Sequence, residues 1–211
     1  MAEELGLRER KKRETRQRIA DVAMGLFMLR GFDQTTVADI AEAADVSVNT
    51  VFNYFKTKED LFFDRQDAAV QSLGRVVASR REGESVVDAL RRDFYEALDE
   101  RDWRYGIVNG ADDFFEMVVE SPSLRARMRE MGELRKEYLA QVLAEETDAD
   151  PDDPTPRVVA ALVVALTHAI SMEYLQRLRA GESHAAILPA VRTAVEQGFE
   201  LLRSGIGDYP A

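Results

Sequence analysis

Apolar side chains recur along this chain at steps of three and four residues, the spacing of one face of an α-helix. Ile19, Val22, Ala23, Leu26 and Phe27 form the first such stripe, closed by Arg30-Gly31. Glycine after a terminal basic residue is a helix stop. Val37, Ile40, Ala41 and Ala44 form the next, with Thr36 and Asp39 spaced as a capping box. A third helix is predicted from Val48 to about Phe55, capped by Ser47. Thr57-Lys58-Glu59-Asp60 then opens a long helix running through Leu61, Ala68, Ala69, Leu73 and Val76, and Ser85 with Asp88 starts another. Ser121-Pro122 places a cap and then proline at a first helical position, where its missing N–H costs nothing. The acidic, proline-rich stretch from Thr147 to Pro156 reads as a loop. Two terminal helices are predicted over about Pro156–Arg179 and Leu188–Arg203, because Pro189 argues against an unbroken helix from His184. No two-residue alternation competes with this pattern. The fold class is therefore all-α, with about nine helices.

Composition narrows the chemistry. With no cysteine among 211 residues, disulfide scaffolds, thiolate metal sites and thiol nucleophiles are excluded. Two histidines, His168 and His184, leave little for a metal centre, so no cofactor and no metal are expected. The longest apolar run, Val158 to Leu166, is far short of a bilayer span, and the charged N-terminus does not read as a secretory signal. A cytoplasmic protein without a membrane partner is expected.

Charge is unevenly placed. The net charge is −11, yet residues 1–65 carry 11 basic and 12 acidic groups against 17 and 27 in the rest. Arg8, Arg10, Lys11, Lys12, Arg13, Arg16 and Arg18 face only Glu9 and Glu14. This basic arm suits a polyanion, although a solvated first helix would look the same.

The spacing between Thr36 and Lys58 is the most informative. Two short helices separated by Asp45-Val46-Ser47 have the length of a helix-turn-helix unit, and equally of an ordinary helical hairpin. The turn needs one left-handed residue, for which Asp45 is tolerated but poorer than glycine. Val51 and Phe55 bury the second helix, leaving Val48, Asn49, Thr50 and Asn53 to meet base edges. Asparagine bidentate to adenine and a Val or Thr methyl against thymine are the expected pairings. Lys58 in a helix's first turn opposes the dipole unless a phosphate sits there. Thr36 and Ser47 place hydroxyls at helix starts, and Tyr54 is either a phosphate contact or a core ring with a wet edge.

The stretch GFDQTTVADIAEAADVSVNTVFNYFKTKEDL, Gly31 to Leu61, resembles the TetR family of transcriptional regulators. Its carriers are Thr35-Thr36, Ile40-Ala41, Val46-Ser47, Thr50-Val51, Tyr54-Phe55 and Lys58-Glu59-Asp60-Leu61. The resemblance implies an N-terminal arm and three-helix DNA-binding domain over residues 1–57. It implies a helical bundle for ligand binding and dimerisation over 58–211. It carries DNA binding onto Thr36, Ser47, Val48, Asn49, Thr50, Phe52, Asn53, Tyr54 and Lys58. Asp45 departs from the common glycine, Asn53 from the usual histidine or bulky residue, and Ala38 offers no base-reading side chain. The implied partners are a double-stranded DNA operator and a small apolar or amphipathic effector.

The C-terminal part offers aromatic and thioether surface at Trp103, Phe114, Phe115, Met117, Met128, Met131, Tyr138 and Met172. Such stripes are more often core than pocket. With the resemblance, Trp103, Phe114, Met117, Met131, Tyr138, His168 and Met172 become the candidate effector contacts. A buried His168 would serve as a ligand contact or hold a structural hydrogen bond. Ala161, Ala165, His168, Met172 and Leu175 share one face of the penultimate helix, and Leu162, Leu166, Ala169 and Glu173 another. Leu188, Val191, Val195, Gly198 and Leu202 form the stripe of the last. A homodimer through these two helices explains both patterns. Other classes remain at this point: a regulator without an effector pocket or acting as activator, a protein-binding adaptor, or a helical enzyme using Asp112, Glu116 and His168.

Overall fold

The computed structural model describes residues 6–108 and 111–206, and every regular element among them is helical. In chain order these are α1 (Leu7–Arg30), α2 (Val37–Ala43), α3 (Val48–Tyr54), α4 (Lys58–Phe62), α5 (Gln66–Ala78) and α6 (Val86–Glu100). A 3-10 turn (Trp103–Tyr105) leads to α7 (Ala111–Glu120), α8 (Pro122–Thr147), α9 (Thr155–Arg179) and α10 (His184–Ile206).

The chain forms two compact units, one of residues 1–66 with 116–127, the other of 67–115 with 128–211. The boundary expected at residue 57 lies later in the chain. Leu61 and Phe62 of α4 are buried, and α4 packs on α1. The first unit is built on an aromatic cluster: Phe27, Phe32 and Phe62 have ring centroids 5.0–5.8 Å apart. Ile19, Ala23, Ile40, Val51 and Phe55 complete this core. The segment 116–127 joins it through buried Leu124, with Ser121 Oγ donating to Asp33 Oδ1 (2.9 Å) and Arg127 Nη2 to Asp60 Oδ1 (2.9 Å).

One long helix from Lys58 through Val76 does not form. Leu61, Phe62 and Phe63 are all buried. Three consecutive positions sweep about 200° around a helix and cannot share one narrow stripe. The chain leaves helical geometry at Phe63 (φ −99°, ψ 48°) and restarts at Gln66.

The second unit packs α5, α6, α8, α9 and α10 around Leu73, Leu90, Phe94, Leu143, Val163, Tyr174, Val195 and Phe199. Two glycines permit close approach. A Cβ at Gly74 would stand 2.6 Å from Tyr138 Cε1, and one at Gly198 would collide with Leu166. The α10 helix runs unbroken from His184 with Pro189 inside it, contrary to the expected start near Leu188. Pro189 is only the sixth helical residue. The carbonyl it leaves without a donor belongs to exposed Ala185, where water can satisfy it.

Candidate nucleic-acid interface and effector region

The α2–α3 pair is assembled by short-range chemistry. Thr36 Oγ1 accepts from Asp39 N (3.1 Å), and Asp39 Oδ2 accepts from Thr36 N (2.8 Å), completing the capping box. Thr36 Oγ1 also donates to Asp39 Oδ2 (2.6 Å), and this bond, with that from Thr36 N, holds the Asp39 carboxyl below its usual range. Asp45 adopts φ +51°, the left-handed residue that the turn requires, and Val46 N then donates to Ala41 O (3.0 Å). Ser47 Oγ accepts from Thr50 N (3.0 Å) and lies 2.8 Å from Thr50 Oγ1.

With Val51 and Phe55 buried, α3 turns Val48, Asn49, Phe52 and Asn53 to solvent. Val48 is 39% and Phe52 48% exposed, high for apolar side chains in a seven-residue helix. None of the four carries charge. Thr50 and Tyr54 are half-buried at the flank. The hydroxyls of Thr36, Ser47 and Thr50 are engaged in caps.

Two basic residues lie differently from their sequence reading. Lys58 Nζ donates to Phe32 O (2.9 Å) and Thr35 O (3.1 Å) and sits 4.1 Å from the Phe32 ring centroid. Its ammonium clamps the α1–α2 loop to α4, so two of its three protons already have acceptors. Arg16, counted with the basic arm, donates to Asp64 O (3.0 Å) and stacks over Phe55 at 4.6 Å. Arg8, Arg10, Lys11, Lys12, Arg13 and Arg18 are exposed, on the regular helix α1 rather than a loose arm.

The candidate effector residues divide between the units. Met117 belongs to the first; Trp103, Phe114, Met131, Tyr138, His168 and Met172 belong to the second. Phe114, Met131, Tyr138 and Met172 are half-buried, and Trp103 is 37% exposed. His168 is not buried. It lies on the exposed face of α9 with Ala161, Leu162, Ala165 and Ala169, because α9 turns its opposite face, Val159, Val163 and Ile170, into the core. Leu175, grouped with His168 by spacing, is buried. The α10 stripe of Val191, Val195 and Gly198 packs inward within its own chain, and among the described large apolar residues of α10 Leu201 is the exposed one. Asp112 is half-buried and Glu116 exposed.

Sequence reading missed Arg135. Its guanidinium Nε is shut away from solvent without an acceptor, beside Ser72 and Tyr105, which are distant in sequence.

Two family models match this chain. The one described as bacterial regulatory proteins, tetR family, covers residues 19–64, and the MftR C-terminal domain covers residues 84–200. The chain is 31% identical over 204 residues to the HTH-type transcriptional regulator TcmR of Streptomyces glaucescens, spanning 94% of this chain and 87% of TcmR. Over 46 residues, 22% of each chain, it is 52% identical to the HTH-type transcriptional regulator LuxR of Vibrio harveyi. The fold matches that of NalD, the secondary repressor of the MexAB-OprM pump in Pseudomonas aeruginosa. The TM-score is 0.57 at 20% identity, over 88% of this chain and 97% of NalD.

Proposed function

This chain belongs to the TetR family of bacterial transcriptional regulators, and from that premise we propose that it is a cytoplasmic homodimeric repressor, released from a palindromic operator by a small apolar or amphipathic effector. The observation that carries the DNA-reading part is the outward face of α3: Val48, Asn49, Phe52 and Asn53, exposed and uncharged. Asparagine pairs bidentately with adenine, and apolar side chains pack on the thymine methyl. Guanine is usually read by Arg or Lys, and this face has neither. Each half-site therefore carries A·T pairs where α3 docks. Tyr54 and the third proton of Lys58 serve the phosphates, while Thr36, Ser47 and Thr50, their hydroxyls engaged in caps, hold the helix starts against the backbone.

A dimer follows from α9. By length and composition this 25-residue helix is apolar enough to cross a bilayer, yet one face is already buried in its own core. Val158, Ala161, Leu162, Ala165 and Ala169 on the other face need a cover. A second copy supplies it symmetrically, with Leu201 of α10 at the same seam. Two α3 helices then enter successive major grooves about 34–36 Å apart.

The effector site lies in the second unit, around Trp103, Phe114, Met131, Tyr138 and Met172. The route to the DNA is α8 rather than a continuous helix from Lys58. Its first six residues belong to the first unit, where Arg127 holds Asp60, and its remainder to the second. An effector shifts the equilibrium only by its differential affinity for the two states; a coupling of about 1–3 kcal/mol weakens operator binding roughly 5–150-fold.

The test is fluorescence anisotropy with duplexes recovered from a random pool, titrated with salt. Asn49→Ala is expected to cost about 1–3 kcal/mol at one base position. Equal loss across all operator variants contradicts base reading by Asn49. Removing residues 1–12 deletes Arg8, Arg10, Lys11 and Lys12 but leaves the core, which starts at Ile19. Binding should become weaker and less steeply salt-dependent. An unchanged salt slope removes the basic end of α1 from the interface.

A further inference from the structure

We infer that the effector of this regulator is an amphipathic anion whose acidic group is held by Arg135. The inference rests on the reading of the second unit as an effector domain and names the chemistry of that ligand. On α8, Arg135 stands one turn from both Met131 and Tyr138, on the face those side chains share. Its Nη2 donates to Ser72 Oγ at 3.3 Å, a long bond to a neutral hydroxyl whose own proton goes to Ala69 O. The Tyr105 ring centroid lies 5.9 Å from its Cζ. Its Nε is sealed from solvent and meets no acceptor, and no ion pair to Arg135 occurs among the described residues.

The neighbouring carboxylate is already committed. Asp93 Oδ1 accepts from Arg104 Nη1 (2.6 Å), and Asp93 Oδ2 from Tyr105 OH (2.7 Å). Arg104 is paired further with Asp102 and Glu100. Burial pushes the Arg135 guanidinium below the usual arginine range, with Tyr105 and Asp93 acting in the opposite sense. It stays charged even so, since arginine does not lose its proton in proteins. Arg135 is only part-buried, but its Nε lacks an acceptor and no carboxylate pairs with it directly, which leaves donor capacity that a bound anion would satisfy. A carboxylate or phosphate arriving on an apolar tail would meet the guanidinium edge and, once the side chains covering it move aside, the Nε–H, the bidentate geometry that arginine favours. Its tail would lie among Met131, Tyr138 and Trp103.

The probes are dodecanoate, dodecyl phosphate and dodecanol, titrated while following emission from Trp103, the sole tryptophan. The wild type should bind at least one of the two anions about tenfold or more tighter than the alcohol. The arm that wins separates a carboxylate from a phosphate ligand. Arg135→Met should lose that preference and bind the alcohol as the wild type does. Without a ligand, its Tm should equal or exceed that of the wild type, since a neutral side chain of similar volume replaces a part-buried cation that makes no ion pair. Four results overturn the inference: binding of neither anion, equal binding of anion and alcohol by the wild type, the same preference in Arg135→Met, or a fall in its Tm of about 4 °C or more, which marks a structural role. Affinity of the unliganded wild type for its selected duplex reports separately on the regulator reading.

Discussion

Replacing Ala165 by arginine should split the proposed dimer and lower operator affinity about 100-fold or more, since each half-site would then be bound alone. Ala165 lies on the exposed face of α9, between Leu162 (43% exposed) and Ala169. Two-fold symmetry brings the substitution in twice, and like charges in an apolar seam cost several kcal/mol. Ala165 makes no contribution to the core of its own chain, so the far-ultraviolet circular dichroism should stay that of the wild type. Light scattering at micromolar concentration reads the mass directly. A variant that remains dimeric places the seam elsewhere.

Phe62→Ala should destabilise the protein by about 3–5 kcal/mol. The ring is 1% exposed and contacts Phe27, Phe32 and Phe63 with centroids 5.8, 5.6 and 5.0 Å away. Against a typical stability of about 5–15 kcal/mol, that loss removes a large share. It falls on the unit that carries α3, so operator binding should fall with it. Phe52→Ala is the control. Its ring is half exposed, so its cost to stability should stay within about 0.5 kcal/mol while discrimination at a thymine position drops. Urea unfolding of both variants separates the two roles. Equal destabilisation would mean that Phe52 packs in the core.

How much of this was legible in the sequence depends on the range of the interaction. Thr36, Ser47, Thr57 and Ser85 cap helices where their spacing to a residue three positions on placed them. Asp45 takes the left-handed turn for the same local reason. Helix breaks were less legible. Pro189 is a breaker by rule but sits so near the helix start that the carbonyl it frees, on exposed Ala185, is open to water. The chain breaks instead at Phe63, where the pull of three buried side chains outweighs helix continuity. Facing was legible only as far as period allows. Spacing puts Val191, Val195 and Gly198 on one stripe and points to a dimer seam, but in the structure that stripe packs on its own chain, Gly198 against Leu166. His168 and Leu175 were grouped on one face, yet tertiary packing exposes the first and buries the second. Charges were the least legible. Arg16 and Lys58 count as a basic flank in sequence and as structural clamps in space. Arg135 resembles any other helical arginine until burial isolates it.

On the proposed reading, two copies of α3 meet the DNA through Val48, Asn49, Phe52 and Asn53. Selection of bound duplexes from a random pool, run in parallel with wild type and Asn49→Ala, tests it most directly. An inverted repeat with half-site centres about one helical turn apart is expected. A·T pairs are expected at the positions α3 meets, with the preference at one symmetric pair of positions relaxed in the variant. A single unsymmetrical site, a guanine-rich consensus, or identical sequence preferences from the two proteins would contradict it.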